Sequence, residues 1–85
     1  MKKIIEIDEN EGLEKLMGKV VTLFCDTYIY TGELVGVNEQ TVLLKNPSIV
    51  YETGEFSAKE WKDAQKLPNE WYVRTSKIES FGILK

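Results

Sequence analysis

The chain has no histidine, and its 85 residues include one cysteine (Cys25) and two prolines. Without histidine, Ser/His and Cys/His nucleophile pairs are excluded, and the side chain that most often performs acid–base catalysis near neutral pH is missing. The sequence also has no Gly-rich phosphate loop. We therefore predict that the protein is not an enzyme, and we expect no catalytic residues and no cofactor.

A single cysteine also excludes an intrachain disulfide and leaves no plausible zinc site, so we expect no metal. We expect Cys25 to be a buried, small apolar residue. The apolar runs are a few residues long, far below the ~20 needed to cross a bilayer. One thiol and no signal peptide are typical of a reducing, intracellular setting. These features predict a cytoplasmic protein with no membrane association.

Net charge argues against a free-standing nucleic-acid binder, because the chain carries −3 and has a pI near 5.0. The charges are unevenly distributed. Residues 1–40 hold four lysines and eight acids (−4), whereas residues 41–85 hold seven basic and six acidic residues (+1). Any positive surface must therefore come mainly from the second half, which contains the only arginine, Arg74.

The N-terminal region reads as a short helix. Asp8 and Glu11 have capping-box spacing and place negative charge at a helix start. An apolar stripe at i, i+3 and i+4 follows, formed by Leu13, Leu16 and Met17. The pattern predicts about two helical turns from near Glu9 to Met17, ended by a left-handed Gly18. Residues 1–7 are interpreted as an edge strand or a loose arm.

Period-two alternation and β-branched residues predict five strands, which are Lys19–Cys25, Tyr28–Val37, Thr41–Lys45, Trp71–Arg74 and Lys77–Leu84. The third strand has a possible continuation over residues 48–52, past a bulge at Asn46-Pro47. Gly32 and Gly36 lie four apart inside the second strand, which indicates strong bending. We predict one domain over residues 1–85: a mainly β, five-stranded, strongly bent antiparallel barrel of Sm-like or SH3-like type, with an N-terminal helix.

The segment between the third and fourth strands, about 53–70, reads as an insert. Ser57 and Glu60 have capping-box spacing and Pro68 stops the run, so the pattern predicts a short helix or an ordered loop. Trp61 lies within it. This tryptophan either pins the insert to the barrel or anchors a protein partner.

Two motifs occur in order behind the predicted helix. The first combines Leu16–Leu23, Tyr30–Asn38 and Leu43-Leu44, and the second is Val73-Arg74-Thr75-Ser76-Lys77-Ile78. Together they resemble the two motifs of the Sm-like proteins, and the run from Val37 to Asn46 is similar, without gaps, to the corresponding strand of the bacterial Hfq type. The resemblance covers about 55 residues, and it identifies the chain as similar to a divergent member of that family.

The resemblance implies a homo-oligomeric ring of six or seven subunits, in which the predicted fourth strand of one subunit pairs with the fifth strand of the next. Ring closure would satisfy the free strand edges of an open barrel. The residues expected near this interface are Tyr72, Val73, Ile78, Phe81 and Ile83. For each of them, ordinary core packing is the alternative.

The resemblance also implies that single-stranded RNA, rich in U or A, binds at the pore rim. The rim residues implied are Asn38, Gln40, Thr41, Arg74, Thr75, Ser76 and Lys77. Arg74 matches the arginine of the second motif, whose flat guanidinium can stack on a base. The alternative for Arg74 is a salt bridge to Glu79 or to a carboxylate of a neighbouring subunit. Tyr28 and Tyr30 form either a second stacking surface or ordinary cross-strand packing.

The chain departs from the family pattern at the rim. Thr75 stands where the second motif has glycine, Val42 where an asparagine reads the base, and Glu39 adds a negative charge. A second hypothesis is therefore an Sm-like module that binds protein through Trp61 and the 53–70 insert, with no role for nucleic acid. A third is an unrelated, monomeric SH3-like barrel.

Overall fold

The computed structural model describes residues 12–85, and that part of the chain is mainly β, as predicted. It contains six strands: β1 (Val20–Cys25), β2 (Ile29–Val37), β3 (Thr41–Glu52), β4 (Asp63–Lys66), β5 (Trp71–Arg74) and β6 (Ile78–Gly82). Two 3-10 turns, Gly12–Leu16 and Thr75–Lys77, precede β1 and β6. No helix within the described residues is long and apolar enough to cross a membrane.

All the strands pair antiparallel in one sheet of order β4-β3-β2-β1-β6, with β5 also paired to β3. The 12-residue β3 is long enough for two partners on one edge. Its first part, from Thr41 to Leu44, pairs with β5, and its second part, from Ser48 to Glu52, pairs with β4. β4 and β5 therefore follow one another along the edge of β3 that faces away from β2.

The sheet is not closed into a barrel, which corrects the prediction. Among the described residues, β5 pairs only with β3 and β6 only with β1, although the two strands are consecutive in the chain. The 3-10 turn between them does not form a tight hairpin, because its two ends are held by different parts of the sheet. The N–H of Thr75 binds the carbonyl of Gln40, and the carbonyl of Lys77 accepts from the N–H of Asp26.

A bulge bends β3 opposite Gly32. Thr31 pairs with Ser48 but Glu33 pairs with Lys45, so β3 has one more residue here than β2. The strand continues past Pro47 as one element, and Asn46 takes a left-handed φ of 51°. A Cβ on Gly32 would lie 3.1 Å from Pro47 Cα, so only glycine lets the two strands approach this closely.

A small apolar core lies on the inner face of the bent sheet. Its fully or nearly buried members are Val21, Leu23, Leu34, Val42, Leu44 and Val73. Leu13 and Leu16 from the first 3-10 turn pack against this cluster. Burying such a side chain contributes about 1.5–3 kcal/mol, so six of them make a modest core.

The predicted N-terminal helix is not observed within the described residues. Its described part is the five-residue 3-10 turn Gly12–Leu16. Gly12 has a φ of 67°, which is outside the right-handed helical region, so an α-helix cannot run through it. Gly18 has the predicted left-handed φ, at 84°. The rest of this prediction, including the arm at 1–7, lies outside the described residues.

The insert follows its prediction in part, because residues 53–62 form the loop alternative and no helix, whereas β4 is a sixth strand that was not predicted. β4 forms where the far end of β3 offers unpaired backbone groups, and ladder bonds to β3 replace the short, weakly nucleated helix that the capping pattern predicts. Residues 53–62 form a loop closed by a hydrogen bond of 3.4 Å from the N–H of Lys62 to the carbonyl of Thr53.

Lys85 holds this loop. Its Nζ donates to the carbonyl oxygens of Thr53, Glu55 and Glu60 at 2.8, 2.8 and 2.9 Å. The same ammonium lies 4.7 Å from the ring centroid of Trp61. Trp61 is therefore half-buried, with a cation on its ring, at the base of the insert.

Candidate nucleic-acid interface

The two predicted rim turns meet in the folded chain. The N–H of Thr75 donates to the carbonyl of Gln40 at 2.9 Å, and the Thr75 hydroxyl donates to the carbonyl of Glu39 at 2.7 Å. Thr41 and Arg74 are opposite each other in the β3–β5 ladder. The sheet thus places residues 38–41 beside residues 74–77.

Asn38 shapes the first of these turns. Its Oδ1 accepts hydrogen bonds from the backbone N–H groups of Gln40 and Thr41, both at 2.8 Å. This is an Asx turn, in which the side chain replaces a backbone acceptor. The amide oxygen of Asn38 is therefore used by the fold, and its NH₂ group is what this exposed side chain offers a ligand.

Arg74 and Lys77 line a cleft of about 270 Å³, whereas the hollow over the Asn38 turn is lined by residues 38–40. We call the first of these, the one that Arg74 and Lys77 line, the tyrosine cleft. It is lined by Cys25, Asp26, Thr27, Tyr28, Tyr30, Tyr72, Val73, Arg74 and Lys77. The predicted RNA-binding residues are therefore adjacent, but they border two different concavities.

The floor of the tyrosine cleft is an extension of the core, because Tyr30 and Cys25 pack against the core cluster and Val73 belongs to it. Tyr28 and Tyr72 are more open, with 46 % and 67 % of their surface exposed. The Tyr28 ring packs edge-to-face on Tyr30, at 6.4 Å between centroids, which restrains its orientation. The cleft is thus an aromatic surface with accessible ring faces.

Charges of both signs surround the cleft, with Arg74, Lys77 and Asp26 in its lining and Glu79 close enough to act on Cys25 in its floor. Lys77 Nζ lies 3.7 Å from Asp26 Oδ2, and both side chains are largely exposed. Within residues 12–85 Arg74 makes no salt bridge, so the alternative pairing with Glu79 is not formed. Two cations and one carboxylate give the cleft a net charge of +1 on a chain of −3.

The cleft floor is uncharged at neutral pH. Burial raises the pKa of Tyr30 above its ordinary value of 10.0, and the neighbouring Cys25 and Tyr28 add to this. Burial, followed by the carboxylates of Asp26 and Glu79, raises the pKa of the Cys25 thiol above 9.0. The thiol is therefore a poor nucleophile. Among residues 12–85 no cluster of His, Cys, Asp or Glu has the arrangement of a metal site.

Among the described residues no strand pairs with the edge of β5 that faces away from β3, and β5 contributes Tyr72, Val73 and Arg74 to the lining of the cleft. The N–H of Thr75 donates to the carbonyl of Gln40, the residue opposite it, and hydrogen-bonded pairs alternate with non-bonded pairs in antiparallel sheets. By this alternation Val73 bonds to β3, whereas the backbone N–H groups of Tyr72 and Arg74 and the carbonyl of Tyr72 point away from β3. The carbonyl of Arg74, the N-cap residue, accepts the first hydrogen bond of the 3-10 turn Thr75–Lys77. Within residues 12–85, the groups of Tyr72 and Arg74 that point away from β3 have no partner in another strand.

The expected interface residues fall into two groups. Val73 is 5 % exposed and belongs to the core, and Ile78 is half-buried against it. Tyr72, Phe81 and Ile83 are 67 %, 41 % and 57 % exposed on or beside the free-edged strands β5 and β6. The second group leaves apolar surface available to another molecule.

Sequence reasoning missed the convergence of Tyr72 with Tyr28 and Tyr30. Period-two alternation places Tyr72 and Arg74 on one face of their strand, and Tyr28 and Tyr30 on one face of theirs. What the pattern does not contain is the order of strands in the sheet. That order brings the β1–β2 hairpin next to the turn after β5.

No protein-family model matches this chain, and no curated protein matches it. The resemblance to Sm-like proteins therefore depends on the two motifs and on the arrangement of the turns.

Proposed function

We propose that this protein is a divergent Sm-like subunit that assembles into a ring of six or seven copies and binds single-stranded RNA without chemistry. The observation that supports it is the junction made by Thr75, which joins the turn at 38–41 to the turn at 74–77. Resemblance to the family predicts an RNA-binding rim from these same two turns.

The groups at this junction suit a flexible, anionic, base-bearing ligand. Arg74 offers a planar guanidinium that stacks and donates hydrogen bonds, and Lys77 offers a point charge for phosphate. The exposed NH₂ of Asn38 is a donor for a base edge. A ring multiplies each group six or seven times around one opening, which produces a positive rim on an acidic protein.

The edges of β5 and β6 that have no partner strand within residues 12–85 support assembly. Unpaired strand edges invite pairing with another chain, and a closed ring of subunits satisfies all of them at once. The exposed Tyr72, Phe81 and Ile83 supply apolar area beside these edges. Pairing of β5 with a neighbour's β6 would bury this apolar area.

Native mass spectrometry with hexamers of oligo-uridine and oligo-adenine tests the proposal, together with fluorescence anisotropy at several salt concentrations. We expect a hexamer or heptamer that takes up RNA, and an affinity that falls with a slope of about −0.7 per phosphate contact in log–log form. Arg74→Ala should abolish binding at physiological salt. Lys66→Ala removes the same charge from exposed β4 and should change little.

Other outcomes select the other hypotheses. A ring that ignores both oligonucleotides would favour the protein-interaction module. Its contact surface would be the insert, in which Phe56 is 58 % exposed and Trp61 is half-buried. A monomer would contradict the ring and favour an SH3-like protein.

A further inference from the structure

We propose that Trp71 of one copy enters an aromatic groove on the next copy in the ring and donates its indole N–H to the buried hydroxyl of Thr22. We call this the phenylalanine groove, and its lining includes Thr22, Phe24, Phe56, Ser80, Phe81 and Gly82. The inference rests on the proposed function and deepens it, because it names the side chain with which a neighbouring subunit completes this site.

The Thr22 hydroxyl points to a group that the single chain lacks. Thr22 is 1 % exposed, and its Oγ1 has no hydrogen-bond partner among the described residues. Buried polar groups nearly always have a partner, because an unpaired one keeps the full cost of its desolvation. Since Thr22 belongs to the lining of the phenylalanine groove, a donor that enters this groove can satisfy it.

The size and chemistry of the groove suit one aromatic side chain. Its volume is about 190 Å³, below the roughly 300–1,000 Å³ of pockets that hold drug-sized molecules. Three phenylalanines contribute to the lining, and one of them, Phe56, comes from the insert. A Cβ at Gly82 would meet nothing within 4 Å, so the space over this glycine is open. An aromatic side chain from the adjacent strand can cover such a glycine.

The backbone directions in β6 limit how a neighbour can pair with it. The N–H of Cys25 donates to the carbonyl of Tyr28 in β2, so by the alternation of antiparallel pairs Phe24 bonds toward β6. Ser80 is opposite Phe24 and bonds back to β1. The backbone N–H and C=O of the next residue, Phe81, therefore point to the edge that has no partner strand within the described part of the chain.

One antiparallel register joins these groups to those of β5. The backbone groups of Tyr72 point away from β3, which places Tyr72 opposite Phe81 of the neighbouring copy. The four residues 71–74 then lie opposite residues 82–79, all of them within β6. A shift by two residues in either direction would place one end of β5 beyond the end of β6.

This register brings Trp71 to the groove. Trp71 is 40 % exposed and lies opposite the neighbour's Gly82, which is itself opposite Thr22, so the three residues share one face of the sheet. Strands are about 4.8 Å apart, so the indole has to cross a single strand, at a glycine, to reach Thr22. The groove has to open slightly for this, and Phe56, which is 58 % exposed on the insert loop, is the wall that can move.

The same register is complementary along its length. Tyr72 meets the neighbour's Phe81 as an aromatic pair, and Arg74 meets the neighbour's Glu79 as a pair of opposite charges, and both kinds of cross-strand pair are stabilising. A carboxylate binds the edge of a guanidinium, so the flat faces of Arg74 remain able to stack on a base.

A double-mutant cycle tests the hydrogen bond. Thr22→Val removes the hydroxyl, and Trp71→Phe removes the N–H but keeps an aromatic ring. We expect each to weaken subunit association by about 2–12-fold per interface, the range of a neutral hydrogen bond, measured by sedimentation velocity over a dilution series. The double variant should be little weaker than the weaker single variant. Fully additive losses, or a Thr22→Val ring as tight as wild type, would overturn the inference.

Alanine variants test the packing. Trp71→Ala should weaken association by about 30-fold or more per interface, as truncation of a hot-spot tryptophan does. Phe56→Ala removes one wall of the groove and should also weaken association. Tyr51→Ala is the control, because Tyr51 is 51 % exposed on β3 and lies outside the groove. Urea denaturation of each variant separates lost association from lost folding.

Cysteine pairs test the register even where an alanine variant fails to fold. In a Cys25→Ala background, Trp71→Cys combined with Gly82→Cys should form intermolecular disulfides with diamide, since the Cα atoms of such a non-hydrogen-bonded pair lie about 4.5 Å apart. Tyr72→Cys combined with Gly82→Cys, which is displaced by one residue, should form few. The reverse result would contradict the register and the inference.

The outcomes distinguish this inference from the proposed function. A wild-type protein that stays monomeric at all concentrations would overturn the ring and this inference with it. A ring that forms with wild-type affinity in Trp71→Ala would overturn the groove site alone and leave the ring and its RNA-binding rim standing.

Discussion

Thr75 donates its hydroxyl hydrogen to the carbonyl oxygen of Glu39, 36 positions earlier in the chain, at 2.7 Å. Threonine stands here where the Sm-like motif has glycine, and glycine has no side chain to make this bond. Thr75 therefore adds a hydrogen bond between the two turns that the glycine of the Sm-like motif could not make. It also means that the Thr75 hydroxyl already has an acceptor within the chain.

Removing this hydroxyl should loosen the junction. Thr75→Val keeps the shape of the side chain but loses the donor, and we expect it to lower the free energy of unfolding by about 0.5–1.5 kcal/mol. Thr75→Ser keeps the donor and should lose less. Urea denaturation of both variants gives the comparison, and equal losses would show that the hydrogen bond contributes nothing.

Two variants of Asn38 distinguish its structural role in the turn from its proposed role in RNA recognition. Asn38→Ala removes the acceptor for Gln40 and Thr41 and should cost about 1 kcal/mol. Asn38→Asp keeps an acceptor oxygen but has no NH₂ group, so it should keep most of the stability and still lose RNA affinity. An aspartate variant that binds RNA like wild type at high salt, where charge repulsion is screened, would remove Asn38 from the recognition site.

Gly32→Ala should be strongly destabilising. The new Cβ would lie 3.1 Å from both Leu44 Cβ and Pro47 Cα and 3.2 Å from the Lys45 carbonyl, so the bulged strand has to move. Overpacking of this kind typically costs 1–3 kcal/mol. Gly82→Ala is the matched control, since a Cβ there meets nothing within 4 Å. Thermal melts of the two should differ by several degrees.

We expect Lys85 to keep the loop over residues 53–62 structurally ordered. Lys85→Met removes three charge-assisted hydrogen bonds and the contact with Trp61 while keeping an unbranched apolar stem. We expect amide hydrogen exchange to rise across residues 53–62, with the core strands β1 and β2 unaffected. Lys66→Met on exposed β4 is the control. Unchanged protection in Lys85→Met would show that the loop is held by other contacts.

Stability should fall at alkaline pH. The pKa values of Tyr30 and Cys25 are raised in the folded state, so the unfolded chain loses these protons first as pH rises. Their contribution is complete below pH 9.0 and is lost as pH rises through the folded-state pKa values. The double variant Tyr30→Phe, Cys25→Ala should show a flatter profile of unfolding free energy above pH 9. A profile as steep as that of wild type would place the titrating groups elsewhere.

β-branched and aromatic residues made β1, β2 and β5 predictable to within a residue, because such side chains favour strands. Period-two alternation added to the prediction of β2. The bend at Gly32 was predictable from glycine inside a strand. The helix at the N-terminus and the helix in the insert were not correct for the described residues. In the first place Gly12, inside the predicted helix, takes a left-handed φ of 67°. In the second place, the edge of β3, which lies outside the insert, pairs with residues 63–66 as a strand.

The features of the candidate site likewise fall into those that the sequence predicts and those that only the tertiary structure decides. Sequence alone determined the β-rich architecture, the bent second strand and the two turns that carry Asn38 and Arg74, since these depend on periodicity, glycine and turn chemistry over a few residues. Tertiary structure decided that the sheet stays open between β5 and β6, that Thr75 bonds to Glu39, and that Tyr28, Tyr30 and Tyr72 share a cleft with Arg74. These features depend on which strands are neighbours, and strand order is set by the burial of the whole core rather than by any local run of residues.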